Sequence, residues 1–349
     1  MKLVVVGLSL SSSWGNGHAT TYRALLREFA VRGHEVTFLE RDVEWYRSNR
    51  DLPAPNWCRL EFYSDLTDLK GRFTKTLRAS DWTLVGSYVP EGVEVGNWAC
   101  DTARRCAFYD IDTPVTLAKL ARSDFEYLSP ELIGRYALYL SFSGGPTLQK
   151  METMGSPRAR ALYCSVDPAL YLPLNTLETT DLSYLGTYSD DRQPTLNQLL
   201  VEPARQLPDM HFQVAGPQYP TSIEWPRNLA RIEHLPPREH NAFYNASRWT
   251  LNVTRKDMIA AGHSPSVRLF EAAACGTPII SDYWDGLEEI FAIGEEIWVA
   301  RDSQDAISIL RDCDESTRQR TSQAARARVL AHHTAAHRAR ELEEYLSAQ

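Results

Sequence analysis

The sequence has no run of apolar residues approaching the ~20 needed to cross a bilayer, so no transmembrane segment is expected. Its six cysteines, at positions 58, 100, 106, 164, 275 and 313, form no CxxC pair. Neither a zinc site nor a disulfide framework is indicated, and reduced thiols of a cytoplasmic protein are the expectation. No other metal-ligand spacing stands out, so no metal is expected. Positive charge is in deficit: 37 Lys and Arg stand against 45 Asp and Glu, a net charge of −8. That balance argues against extended nucleic-acid binding through phosphate attraction, although it leaves room for a local basic groove. Repeats and low-complexity tracts are lacking. The apolar start, Lys2 to Leu10, leads into a Ser/Gly turn with no small-residue cleavage pattern. It reads as a first buried strand, not a signal peptide.

What is present is ordinary globular material. Of 349 residues, 43% are apolar and 23% charged, enough for two cores at roughly 150 residues per domain. Lys2-Leu-Val-Val-Val-Gly7 is a continuous apolar run, as parallel strands covered on both faces require. Tyr22, Leu25, Leu26 and Phe29 follow at helical spacing, and Val36 to Glu40 makes a second strand, completing a βαβ unit. Further strands are predicted at Trp82 to Gly86, Arg105 to Tyr109 and Ala137 to Phe142. Pro168, Pro173 and a Thr-rich run to Thr180 read as a linker. A second series follows, with strands at Leu182 to Gly186, His211 to Gly216, Trp249 to Val253 and Pro278 to Ser281. Helices are predicted at Leu196 to Gln206, Val267 to Cys275 and from Leu287. The predicted fold is α/β, with two Rossmann-like, doubly wound domains over residues 1–168 and 169–315. One long Ala- and Arg-rich helical stretch over 316–349 is expected to pack back toward the first domain.

The strongest chemical signal is Ser264-Pro-Ser266-Val-Arg268-Leu-Phe-Glu271-Ala-Ala-Ala-Cys-Gly276-Thr-Pro278-Ile-Ile-Ser-Asp282. A polar turn enters a short helix, Gly276 ends it, and Pro278 opens a buried strand. Glu271 inside this apolar helix is costly to bury without partners. The two hydroxyls of a ribose would suit it, and a helix-capping role or a core salt bridge is the alternative. The segment resembles the nucleotide-sugar signature FEAxACGxP of GT-B glycosyltransferases, whose two Rossmann-like domains face a cleft. Within that class the chain looks most like the CgeB-like group, related to glycosyltransferase family 4. The resemblance is dense over residues 181–302 and looser before them. It implies that Glu271 grips the donor ribose. The family 4 pattern carries a second glutamate eight residues earlier, where this chain has His263. That departure leaves donor sugar and stereochemical outcome open, and makes His263 a candidate for sugar or phosphate contact.

Tyr184-Leu-Gly186-Thr187-Tyr188-Ser-Asp-Asp-Arg192 places a glycine at a strand end, then hydroxyl donors and an arginine. Such a loop lets backbone amides approach a phosphate, and Arg192 can grip its oxygens in bidentate fashion. It resembles the loop that faces the donor diphosphate in GT-B enzymes. Arg268, one turn before Glu271, is a second phosphate candidate, with Ser266 beside it. Gly216 ends another strand, at the loop that lies near the base in the family. Asp285 and Gly286 enter a helix, where backbone amides can face phosphate or sugar and Asp285 can equally serve as an N-cap.

The acceptor side is expected in the first domain. Gly15, Asn16, Gly17 and His18 open the first helix, in a loop that lines the cleft of GT-B enzymes. A dinucleotide fingerprint fits poorly there, because the third glycine position is Thr20, although Glu40 ends the second strand where a ribose-binding acid would sit. Asp110-Ile-Asp112-Thr-Pro114 follows a strand, as active-site carboxylates of α/β sheets do. An inverting transfer needs a general base, for which Asp112 is the first choice and Asp110 the second. CgeB-like proteins tend to carry an acidic residue before a proline here. A metal-binding DxD on a one-domain fold and plain turn chemistry are the rivals. The function expected is transfer of a sugar from a nucleotide-diphosphate-sugar donor, without cofactor or metal, to an unknown glycan, protein, lipid or small-molecule acceptor. The alternatives are a nucleotide-sugar epimerase and a non-catalytic nucleotide-sugar binder.

Overall fold

The computed structural model describes residues 1–14 and 17–348, in two compact units. One comprises Met1–Cys164 and the segment from Ala335 onward; the other is Ser165–Thr334.

The first unit is built on seven strands: β1 (Lys2–Gly7), β2 (Glu35–Arg41), β3 (Arg59–Tyr63), β4 (Trp82–Gly86), β5 (Cys106–Asp110), β6 (Leu138–Ser141) and β7 (Ala159–Ala161). They pair in parallel in the order β3-β2-β1-β4-β5-β6-β7. The apolar run of β1 serves both faces. Leu3 and Val5 meet Tyr22, Leu25, Leu26 and Phe29 of the helix Gly17–Val31, together with Ala339, Leu342 and Leu346. Val4 and Val6 meet Leu69, Phe73 and Leu77 on the other side. Strand order reverses between β1 and β4, and ligands of such sheets bind at the carboxyl ends beside that reversal.

The second unit repeats the plan with β8 (Thr180–Leu185), β9 (Phe212–Ala215), β10 (Leu229–Ile232), β11 (Ser247–Asn252), β12 (Ile279–Ser281) and β13 (Trp298–Val299). All pair in parallel, in the order β10-β9-β8-β11-β12-β13. The reversal here lies between β8 and β11. The helix Val267–Cys275 has the predicted bounds: Ser266 caps its start and Gly276, in a left-handed conformation, ends it.

The stretch expected to form one helix from 316 is two helices, Glu315–His332 and Ala335–Ser347. His333 turns its ring onto Phe270, stacked at 4.8 Å, and its carbonyl accepts the Val166 N–H at 3.2 Å. That carbonyl is lost to the helical ladder, so the helix stops. The first of the two belongs to the second unit, where Ser322 donates to the Gly276 carbonyl at 2.5 Å. Only the helix from Ala335 joins the first unit, and the domain edge falls at 164/165 instead of 168. Among the described residues no helix is long and apolar enough to cross a membrane.

Candidate active site

In the second unit the candidate donor residues gather at the carboxyl edge of the sheet. Gly216, after β9, has φ +142°, and a Cβ there would run into the Gly186 carbonyl. The two strand-end loops therefore touch backbone to backbone. Gly216→Ala is expected to destabilise the protein by ~2 kcal/mol or more, since backbone has to move. Urea unfolding of variant and parent measures it.

Arg192 is 8% exposed. Its Nη2 donates to the Thr187 carbonyl at 2.5 Å and its Nε to Ser189 Oγ at 3.2 Å. Burial pulls its pKa below the ordinary arginine range, and the nearby Arg268 and Arg255 guanidinium groups push the same way. Arg268 lies over the Tyr184 ring at 5.6 Å and donates to Ser266 Oγ at 2.8 Å. Ser266 thus holds Arg268 as well as capping its helix. Three cations thus lie near one another on this edge, with the Asp191 carboxylate beside Arg192 and Arg255 and Asp282 beside Arg268, and such a cluster suits an anionic ligand.

Glu271 is buried, and burial raises its pKa despite the opposing pull of His240, Tyr171, Tyr244 and Arg268. Tyr244 donates to its Oε2 at 3.2 Å, and His240 Nδ1 lies 4.0 Å away. The carboxylate has tyrosine and histidine partners; it does not cap a helix. Asp282, at the end of the motif, is also buried and accepts from the Thr254 N–H and hydroxyl at 2.8 and 2.7 Å. Asp285 is not an N-cap. Gly286 holds that position, and the Asp285 carbonyl accepts the His263 N–H at 2.6 Å.

In the first unit, Asp110 and Asp112 have different fates. Asp110 is fully buried. Tyr139 donates to its Oδ2, Thr116 donates to Oδ1 at 2.8 Å, and the Asp112 N–H donates to Oδ1 at 3.2 Å. Burial outweighs these bonds and lifts its pKa to about 6. So enclosed, Asp110 is a framework residue beneath the loop. Asp112 occupies the N-cap position of the helix Thr113–Ala121, yet its side chain makes no capping bond. Its Oδ2 instead accepts from Tyr88 at 3.2 Å. Simple turn chemistry would have used that carboxylate as a cap.

His18 sits edge-on to Tyr88, ring centroids 5.2 Å apart, and burial lowers its pKa to about 4. Trp14 packs on Trp45. His18, Tyr88 and Asp112 thus form one chain of contacts. Gly17 is exposed, and a Cβ there would meet none of the described residues beyond its chain neighbours, while Gly15 and Asn16 lie outside the described residues. Glu40 is no ribose ligand. It is fully buried, accepting the Leu10 and Ser11 N–H groups at 2.6 and 2.8 Å and the Ser11 hydroxyl at 2.6 Å.

Sequence reasoning missed Arg255, Tyr88, Tyr244 and His240. Arg255 was the most accessible of these, because a basic residue just past a buried strand marks the ligand edge of such sheets.

Two reversed-order parallel sheets with these loops define the GT-B class of α/β proteins, and comparison with solved structures agrees. Sucrose-phosphate synthase from Thermosynechococcus elongatus is similar at a TM-score of 0.71 and 13% identity, covering 99% of this chain and 98% of that one. HepE of Anabaena, in complex with UDP and glucose, is similar at 0.75 and 13%, covering 100% of both chains. An alpha-glucosyltransferase in complex with UDP-glucose and DNA containing an abasic site is similar at 0.69 and 12%, covering 99% of each. More particularly, residues 192–344 match the family model described as glycosyl transferase-like. No curated protein matches the sequence.

Proposed function

We propose that this chain is a glycosyltransferase that moves a sugar from a nucleoside-diphosphate sugar to an acceptor hydroxyl. The observation that carries the reading is the convergence of Arg192, Arg268 and Arg255 at the ligand edge of the second sheet. A diphosphate offers the compensating charge, and arginine pairs with phosphate oxygens through parallel hydrogen bonds. As the sugar leaves, the diphosphate gains negative charge, which these groups meet without a metal. Glu271 takes the ribose: a carboxylate has about four acceptor positions, so two ribose hydroxyls find room beside Tyr244. On the first unit, Asp112 accepts the acceptor's proton, with Tyr88 and His18 beside it. The net charge of −8 gives no general attraction for a nucleic-acid backbone, so the acceptor proposed is a glycan, protein, lipid or small molecule.

The similar structures holding UDP or UDP-glucose make these the first ligands to test. Arg192→Met is expected to cost about 1.5–3 kcal/mol of UDP affinity by titration calorimetry, the worth of a hydrogen bond to a charged group. Its melting temperature is expected to stay close to the parent's, because relief of burial and repulsion offsets two lost hydrogen bonds. Unchanged UDP affinity would remove the arginines from the donor site.

A further inference from the structure

Asp110 is sealed inside the first unit, yet its carboxyl is joined to the loop that carries Asp112. The Asp112 N–H donates to Asp110 Oδ1 at 3.2 Å, so the carboxyl holds the backbone of the proposed base. Thr116 donates to the same oxygen at 2.8 Å, which leaves its own oxygen to accept from Tyr127 at 2.8 Å. The Tyr127 ring packs on Tyr88, centroids 4.7 Å apart, and Tyr88 donates to Asp112 Oδ2 at 3.2 Å. Tyr139 of β6 closes the other side by donating to Asp110 Oδ2. The titratable groups around the Asp110 carboxyl are therefore Asp112 and the hydroxyls of Tyr139, Tyr127, Tyr88 and, from the helix Gly17–Val31, Tyr22.

Those neighbours pull in opposite directions. The donors Tyr139, Thr116 and the Asp112 N–H favour the ionised carboxylate, whereas burial and the charge of Asp112 favour the neutral acid. The balance falls at about 6, so Asp110 changes charge near neutral pH. Coupling between two such groups is reciprocal: as the charge of Asp112 acts on Asp110, so the charge of Asp110 acts on Asp112. A carboxylate beside a second negative charge binds a proton more tightly. A base that binds its proton more tightly also takes it more readily in the transition state.

We propose that Asp110 is a positioning residue for Asp112: its carboxyl fixes the backbone of the base, and its negative charge, once present, strengthens that base. Tyr139 and Thr116 set the pH at which the charge appears. The acceptor's proton still goes to Asp112, and Asp110 touches no substrate. The proposal rests on the reading of Asp112 as the base and adds a pH response to it.

The test is the pH profile of kcat/KM for UDP release from UDP-glucose, measured on the full chain for the parent, Asp110→Asn and Tyr139→Phe. Calorimetry with UDP-glucose on the same samples reports binding. The parent's rate is expected to rise as pH passes about 6. With about one pH unit of coupling, half of it expressed in the transition state, the rise is about three-fold. Asp110→Asn has no charge to gain, so its rise should vanish while UDP-glucose affinity holds. Tyr139→Phe loses a donor that favours the ionised form, so its rise should move about one pH unit higher, the worth of one hydrogen bond to a charged group. An Asp110→Asn variant slowed equally at every pH makes Asp110 purely structural and overturns the proposal. If that variant does not fold, Tyr139→Phe decides alone, and a midpoint that stays with the parent's overturns the proposal. A parent that releases UDP with no rise near pH 6 overturns it too, and leaves the glycosyltransferase reading standing. A parent that neither binds UDP-glucose nor releases UDP overturns that reading, and the proposal with it.

Discussion

Asp112→Asn is expected to lower sugar transfer by about 10²–10⁴-fold, the range lost with a positioned general base. The substitution is nearly isosteric. An asparagine carbonyl can still accept from Tyr88, which now donates to Asp112 at 3.2 Å. The side chain makes no helix-capping bond, so none is lost. The fold and the affinity for UDP should therefore hold while turnover falls. Release of UDP from UDP-glucose, with calorimetry on the same samples, checks both halves. A variant that turns over at the parent's rate would remove Asp112 from the chemistry. A variant that unfolds would make it structural.

Two residues earlier the same substitution is expected to act on stability. The buried Asp110 carboxyl has its pKa raised from 3.8 to about 6, chiefly by burial. The folded protein therefore keeps a proton that the unfolded chain has already released. The stability this contributes is complete below about pH 4 and is lost as pH rises toward about 6. The shift of about two units corresponds to roughly 3 kcal/mol. Asp110→Asn cannot ionise, so its stability relative to the parent should grow by about that amount across the interval and then level off. Urea unfolding of both proteins at a series of pH values gives the difference curve directly. A flat difference would mean that Asp110 is ionised in the folded state throughout.

The fold was largely legible because its central strands are buried on both faces and read as apolar runs. β1, β4, β5 and β6 in the first unit, and β9 and β12 in the second, announce themselves in this way; β8 and β11 do so less plainly, with Asp181 and Ser183 in one and Arg248 and Thr250 in the other. The four strands that escaped notice, β3, β7, β10 and β13, are the four sheet edges. Each is short or half-exposed: Arg59–Tyr63 has a single buried residue and Trp298–Val299 none. Edge strands need no continuous apolar run, so the signal was never there to read. The break at His333 was equally hidden. It depends on Phe270 and Val166, both far away in sequence.

The candidate site divides along similar lines. Glu271, Arg268, Arg192 and the strand-end glycines lie in local motifs whose spacing shows in one dimension. Tyr88 and Tyr244 gain meaning only when the fold brings them to Asp112 and Glu271. The pairing of Asp110 and Asp112 as two possible bases also needed the structure. Adjacent post-strand carboxylates look equivalent in sequence, but one points into the core and the other does not.

The proposed donor site holds a nucleoside-diphosphate sugar on the arginines and Glu271 of the second unit. Thermal unfolding of the parent protein with UDP, GDP, dTDP, CDP and ADP, and then with their sugars, tests it most directly. A ligand at 100 times its dissociation constant adds about 2.7 kcal/mol, which should raise the melting temperature by several degrees. One nucleotide family, with UDP the first expectation, should stand clear of the rest. A flat response to every nucleotide and nucleotide-sugar would contradict it.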